Sequence, residues 1–173
     1  MNTSKIKTIF AALAVVIPLG TVTANAADRD IGSVVTVKKF IGADHTIKIT
    51  AFEDPKINGV TCFLSRPVTG GISGSFGIAE DKSDASVACR QTGPIKFVKA
   101  IGQGPQGEEV FNEDRSIFFK ELQVTRFFDK VSNSLVYLTW SDKLIEGSPK
   151  NSLSAVTMMP WGTKLPEAPK FIK

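Results

Sequence analysis

The stretch from Ser116 to Trp140, SIFFKELQVTRFFDKVSNSLVYLTW, decides the fold class. Up to Asp129, large apolar residues occupy both odd and even positions, which point to opposite faces of a strand. Such a strand is covered on both faces for part of its length. Turn-forming residues follow as far as Ser134, and an apolar run then begins at Leu135. The stretch therefore predicts an antiparallel β-hairpin in the middle of a sheet.

Three earlier segments have the same character. Val34 to Phe40, Thr46 to Phe52 and Val60 to Ser65 are short runs rich in β-branched and aromatic residues. Glycine, proline, asparagine and aspartate separate them, and these residues favour turns. The chain is thus expected to be mainly β, an antiparallel β-sandwich or open barrel with at most short helices.

Helical signals are few. Lys150 to Val156 could form one short helix, because it follows Pro149 and a possible Ser148 cap. Ala79 to Ala88 could make two helical turns, but its end, Ser86 to Gln91, is also compatible with a strand.

The N-terminus has the features of a secretory signal peptide. Lys5 and Lys7 precede an apolar run from Ile9 to Leu19, and the small residues of Ala24-Asn25-Ala26 suit a signal peptidase. The run is shorter than the roughly 20 residues that a transmembrane helix needs. We therefore expect cleavage after Ala26, a periplasmic product and no stable membrane insertion.

The remainder is expected to be one domain, residues 27–161, followed by a flexible C-terminal tail, residues 162–173. That tail has few apolar side chains to bury. The formal net charge is +4 for the whole chain. Because the signal peptide contributes two of the lysines, the mature protein is close to neutral. Nucleic-acid affinity depends on clustered positive charge, so no nucleic-acid partner is expected.

Cys62 and Cys89 are the two cysteines of the chain. In an exported protein an even number of cysteines favours a disulfide, and a Cys62–Cys89 bond is predicted. A redox-active pair would normally have the much shorter C-x-x-C spacing.

No cofactor or metal is expected from the motifs. Gly102 to Gly107 matches G-x-G-x-x-G, but Pro105 and the strand-like residues that follow exclude the required helix, so the segment is predicted to be a loop. His45 is the single histidine, which excludes a zinc site built from several histidines. The acidic run from Glu80 to Asp84 lacks the alternation of a calcium loop and is predicted to be a solvated turn.

The segment from Ser141 to Asn151 is polar and directly follows an apolar strand, where recognition groups often lie. Arg126 shares the parity of Leu122 and Val124, so its side chain should point into the apolar face and require a carboxylate. Asp142 and Glu146 are the acceptors expected for it. The candidate binding residues are Arg126, Asp142, Lys143, Glu146, Ser148, Lys150 and Asn151.

Sequence segments along most of the chain resemble the CreA family of small exported bacterial proteins of unassigned activity. The matching segments are Ile31 to Val37, Val60 to Cys62, Ser65-Arg66, Thr69 to Gly71, Ala79 to Ala85, Gly93 to Ile95, Leu122 to Phe127, Ser141 to Asn151, Ser154 to Val156 and Met159 to Trp161. The resemblance implies a periplasmic location and assigns no catalytic residue.

The expected function is a non-catalytic binding or envelope-associated protein whose partner is an unknown small molecule or envelope component. The alternative is a small hydrolase-type enzyme in which Ser148, Lys150 and Asp142 of the Ser141–Asn151 loop do the chemistry. Whether the chain is an enzyme stays open at this point. A structural subunit, the third possibility, would require an exposed edge strand or apolar patch.

Overall fold

The computed structural model describes residues 28–38, 40–41, 44–69, 84–112, 122–145 and 148–172. The predicted signal peptide, residues 1–26, lies outside them. The described residues form eight strands: β1 Arg29–Val37, β2 His45–Glu53, β3 Ile57–Thr69, β4 Ser86–Phe97, β5 Glu108–Asn112, β6 Leu122–Asp129, β7 Ser134–Ile145 and β8 Ser148–Thr157. Within these ranges no helix is long and apolar enough to cross a membrane.

The strands form two antiparallel four-stranded sheets, ordered β1-β2-β3-β4 and β5-β6-β7-β8. The predicted central hairpin is confirmed: β6 pairs with β7 from Leu122 opposite Ser141 to Asp129 opposite Ser134. Neighbours in the chain are neighbours in each sheet, and the connections β2–β3, β6–β7 and β7–β8 have only two to four residues. The expected fold class, mainly β and antiparallel, is confirmed.

The short helix expected at Lys150 to Val156 is wrong, because these residues belong to β8. Side chains along β8 alternate between exposed and less exposed positions, and Ser154, Val156 and Met158 point inward. That period of two is typical of a strand with one buried face. The segment Ser86 to Gln91, whose sequence is compatible with either structure, is part of strand β4.

The two sheets share one hydrophobic core, in which Phe52 of the first sheet stacks against Phe111 of the second with ring centroids 4.7 Å apart. Along one side, β4 contacts β8. The backbone N–H of Cys89 donates to Ser154 Oγ at 2.8 Å, and the Gln91 side-chain amide bonds both backbone groups of Met159. Side chains therefore join these two strands without a continuous backbone ladder, as at the seam of an open barrel.

The predicted disulfide is confirmed. Cys62 on β3 and Cys89 on β4 lie directly opposite each other and are bonded, with an S–S distance of 2.05 Å. Both residues are fully buried. The bond therefore joins two strands that already pair, inside the core of the first sheet.

The C-terminal segment differs from the flexible tail that the sequence predicts. Ile101 N–H donates to the carbonyl of Lys170 at 2.7 Å, and Ile172 N–H donates back to Ile101 at 2.9 Å. The Phe171 ring packs against Phe128, with centroids 5.5 Å apart. The tail has one well-placed aromatic residue and an available backbone partner, and these two features hold it against the domain.

Gly59 interrupts the pairing of β3 with β4. Asn58 lies opposite Lys96 and Val60 opposite Gln91, so residues 92–95 bulge opposite this single glycine. Gly59 has a φ of +87°, and a Cβ there would lie 2.4 Å from the carbonyl oxygen of Pro94. Only glycine fits this close approach of two backbones.

We therefore expect Gly59→Ala to lower the free energy of unfolding by about 2–4 kcal/mol, because it adds both a backbone clash and an unfavourable φ. Gly104→Ala is the matched control, since a Cβ at Gly104 meets nothing within 4 Å. Urea denaturation followed by circular dichroism measures both. Equal stability of the two variants would contradict the close approach at Gly59.

Candidate functional site

Arg126 lies in the middle of β6, between Glu108 on β5 and Tyr137 on β7 in the strand register. Its side chain is 2% exposed, as the parity of the strand predicts. A buried guanidinium has to find acceptors, because leaving it unpaired costs several kcal/mol.

Those acceptors are Asp54 and Glu108. Arg126 Nη1 donates to both carboxylate oxygens of Asp54 at 2.6 Å, and Nη2 donates to Glu108 Oε2. The acceptors that the structure describes are therefore different from the expected Asp142 and Glu146, whose side chains lie outside the described residues. The strand register explains the difference: Arg126 faces Tyr137, so Asp142 begins five residues further along β7, roughly 16 Å away at the rise of a strand.

Asp54 is held in place by its own turn. It follows β2, and its Oδ1 accepts the backbone N–H of Lys56 at 2.8 Å, as in an Asx turn. The Tyr137 hydroxyl donates to Oδ2 at 2.9 Å. Together with the two bonds from Arg126, these contacts use the four lone-pair positions of the carboxylate. Full burial of Asp54 is thus matched by full hydrogen bonding.

Glu108 completes the group, which we call the Arg126 cluster: Asp54, Lys56, Glu108, Arg126 and Tyr137. Lys56 Nζ donates to Glu108 Oε1, so two cations balance two carboxylates. Burial tends to raise the pKa of Glu108, but the bond from Lys56, the backbone N–H of Gly102 and the charge of Arg126 together lower that pKa below its ordinary value of 4.5. The stabilisation that Glu108 provides is present above about pH 4.5 and is lost as acid protonates the folded carboxylate.

The Arg126 cluster joins the two sheets. Asp54 and Lys56 come from the β2–β3 turn of the first sheet, whereas Glu108, Arg126 and Tyr137 come from adjacent strands of the second. Arg126 and Asp54 are almost completely buried and bond to each other. The cluster is therefore a structural connection, and it leaves Arg126 little capacity to bind a ligand.

The other predicted site residues lie elsewhere. The backbones of Asp142, Lys143 and Ser148 belong to β7 and β8, while their side chains and the whole of Glu146 lie outside the described residues. The polar segment forms the end of the β7–β8 hairpin, with Ile145 opposite Ser148. Lys150 and Asn151 are exposed on β8. Thus the structure does not bring Arg126 together with Lys150 and Asn151.

Lys150 instead lies beside a surface cavity of about 250 Å³. Its Nζ is 3.8 Å from Asp84 Oδ2, and Asp84 lines the cavity. We call this the Arg66 cavity; its lining residues are Ile47, Ser65, Arg66, Pro67, Asp84, Ala85 and Ser86. They come from β2, from β3 and from the start of β4, so three adjacent strands shape the opening.

The side chains that line the cavity can bind a ligand, but they do not form an arrangement suited to catalysis. Arg66 can donate several hydrogen bonds in a planar fork, which suits carboxylate and phosphate groups. Lys150 is half exposed and faces a carboxylate, whereas a lysine that acts as a base requires a desolvated site. In the described ranges, no three histidine, cysteine or acidic residues lie close enough to hold a metal ion.

Sequence reasoning named only Arg126 among the members of the Arg126 cluster and the lining of the Arg66 cavity, and three of the missed residues show why. Asp54 belongs to a turn that the sequence predicts, but its partner is 72 residues away in the chain. Arg66 carries no local signal beyond its position near the end of a strand. Asp84 belongs to the predicted solvated acidic turn, and it is exposed but also borders the cavity.

Removing the arginine should destabilise the fold. Arg126→Ala leaves two carboxylates without their main counter-charge, and we expect the free energy of unfolding to fall by about 3–5 kcal/mol. Arg29→Ala is the control, because Arg29 forms an exposed pair with Glu53 at 3.3 Å and should contribute less than about 1 kcal/mol. A similar loss in both variants, measured by chemical denaturation, would refute the special role of Arg126.

Tyr137 gives a second test, since it is the single tyrosine of the chain. Burial, the negative charge of Asp54 and the bond to Asp54 raise the pKa of Tyr137 well above 10.0. Its stabilising contribution is therefore complete below pH 10 and is lost as the pH rises toward the folded pKa. We expect tyrosinate absorbance at 295 nm to appear together with loss of the β-sheet circular dichroism signal. Titration near pH 10 with the sheet signal intact would contradict the buried bond.

Comparison with known proteins supports the family resemblance seen in the sequence. The sequence model of the CreA protein family matches residues 31–161. The chain is 54% identical over 134 residues to Protein CreA of Escherichia coli strain K12, covering 77% of this chain and 85% of the relative. Protein CreA of the Escherichia coli strains O6:H1 and O157:H7 matches with the same identity and coverage. No solved structure matches the chain. The chain therefore belongs to the CreA family.

Proposed function

We propose that this chain is an exported, non-catalytic binding protein of the bacterial envelope, and that its ligand site is the Arg66 cavity. The observation that carries the proposal is the combination in one cavity of a guanidinium, a carboxylate with a nearby ammonium, and two serine hydroxyls. Export is supported by the signal-peptide pattern and by the buried disulfide, since such bonds persist in oxidising compartments.

The composition of the cavity indicates the class of ligand. Its volume of about 250 Å³ is slightly below the range of drug-sized sites, which begins at about 300 Å³, and favours a small molecule. Arg66 would bond a carboxylate or phosphate of that molecule, and Lys150 would add a second positive charge at the rim. Ile47 and Pro67 provide apolar contact beside the charged groups. A small anionic or zwitterionic compound fits this lining.

The hydrolase alternative finds less support. It requires Ser148, Lys150 and Asp142 to act together, and Lys150 is an exposed residue next to Asp84. The serines that line the cavity, Ser65 and Ser86, have no histidine among the lining residues. Nucleophilic catalysis by serine needs an adjacent base. Binding is therefore the better use of this cavity.

A thermal-shift screen of the protein purified from the periplasm tests the proposal. The probes are inorganic phosphate, single amino acids, dipeptides, sugar acids and soluble cell-wall fragments. A compound at 100 times its Kd adds about 2.7 kcal/mol, which corresponds to a rise in Tm of roughly 5–10 °C for a domain of this size.

We expect Arg66→Ala and Lys150→Ala to reduce that rise, and Lys164→Ala, an exposed lysine outside the cavity lining, to leave it unchanged. A compound that stabilises all three variants equally binds elsewhere and contradicts the assignment of the site. If no probe class raises Tm, the proposed ligand class is wrong. Recovery of the protein only in the cytoplasm, with residues 1–26 still attached, would refute export.

A further inference from the structure

Among the described residues, strand β1 is the outer strand of the first sheet and pairs with β2 alone. All nine of its residues are exposed. Ile31, Val34, Val35 and Val37 each expose between 45% and 62% of their surface. A sheet edge presents unpaired backbone N–H and C=O groups to any strand that can approach it. Here that edge carries large aliphatic side chains as well.

The side chains that often block an edge strand are missing from the centre of β1. Lysine, proline and inward-pointing charges are such blocks, as are β-bulges, of which β1 has one near each end. The seven residues from Ile31 to Val37 include no charged residue and no proline. Val34 lies opposite Ile47 on β2, and Val37 lies opposite His45. Because of a bulge between Val35 and Val37, the side chains of Val34 and Val37 are on the same face of the sheet, together with Ile47. The result is an apolar patch of Val34, Val37 and Ile47 on one face of an open edge, while Val35 is exposed on the opposite face.

The charges at the two ends of β1 indicate what pairs with it. Arg29 and Asp30 bond within the chain, to Glu53 and Lys48. Asp28 and Lys38 are exposed, and no ion pair of the described residues includes either. If a second β1 runs antiparallel to the first, Asp28 of each copy meets Lys38 of the other. A parallel arrangement in register would bring like charges together instead.

This register gives complementary contacts at the centre of the strand. With Asp28 opposite Lys38, the two Ser33 residues meet at the two-fold axis, and Ile31 of each copy faces Val35 of the other. Val34 then lies opposite Gly32, where even an added Cβ would meet nothing within 4 Å, so the valine side chain has room. Cross-strand pairs of β-branched residues stabilise antiparallel sheets.

We propose that the chain forms a two-fold symmetric homodimer through antiparallel pairing of β1 with β1, which joins the two first sheets into one eight-stranded sheet. Such an interface is self-complementary, as a two-fold dimer requires. It is independent of the Arg66 cavity, so its failure would leave the proposed ligand site untouched.

Sedimentation equilibrium of the purified protein over a concentration series measures the dimer. Lys38→Asp places two acids opposite each other twice per interface, and we expect the dimer Kd to rise about five- to thirtyfold. Asp28→Lys should do the same through opposed lysines. The double variant Asp28→Lys with Lys38→Asp exchanges the charges and should restore the original Kd. Lys164→Asp is the control, since it makes the same charge change outside β1.

A second pair of variants tests the apolar part of the edge. Val35→Lys should abolish the dimer without changing the circular dichroism spectrum, because Val35 is exposed in the single chain. Leu153→Lys is its matched control, an exposed aliphatic residue on β8 of the other sheet. A monomer at every concentration up to about 1 mM overturns the proposal. A dimer that survives Val35→Lys, or is not restored by the charge exchange, overturns this interface.

Discussion

The bond between Arg126 and Asp54 is the interaction on which the arrangement of the two sheets depends. Each charge lies almost completely out of water, and each comes from a different sheet. Desolvating two ions costs about as much as their attraction returns, so the pair adds little net stability over an apolar contact. A packing of the sheets that separated Arg126 from Asp54 would leave two buried charges without partners, and it is therefore strongly disfavoured. The β2–β3 turn therefore has to rest against β6, and Tyr137 and Glu108 supply the remaining bonds.

The edges of the two sheets are treated differently. Where β4 meets β8, side chains such as Ser154 and Gln91 bond backbone groups that the ladder leaves open. Satisfying buried backbone groups is close to obligatory, and here serine and glutamine replace a neighbouring strand. At β1 the outer groups have water as their alternative partner. One edge is thus closed within the chain, and the other is available to a second molecule.

Local patterns predicted most of the strands, the central hairpin and the burial of Arg126, because each depends on alternation or on a nearby turn. The disulfide followed instead from the even number of cysteines in a protein expected to be exported. The acceptor of Arg126 could not be predicted in this way. Asp54 is 72 residues distant, and only the packing of the sheets brings it near. The helix expected at Lys150 to Val156 is wrong for another reason. Ser152 and Ser154 point inward and accept hydrogen bonds from backbone N–H groups of β4, and serines at such positions do not resemble a buried strand face in the sequence. The Arg66 cavity could not be predicted either, because its lining residues come from three strands and no single segment of the sequence indicates a site.

The contacts of Phe171 and Lys170 have a consequence for biosynthesis. Ile101 obtains its backbone partners from the last few residues of the chain, and Phe128 obtains a ring contact from the same place. Synthesis runs from the N-terminus, so the strands of both sheets can assemble before Lys170 to Ile172 have left the ribosome, while the surface around Ile101 is still uncovered. Exposed apolar surface of that kind is where incomplete chains associate. The domain therefore reaches its final packing only after Ile172 has been synthesised, about 70 residues after Ile101.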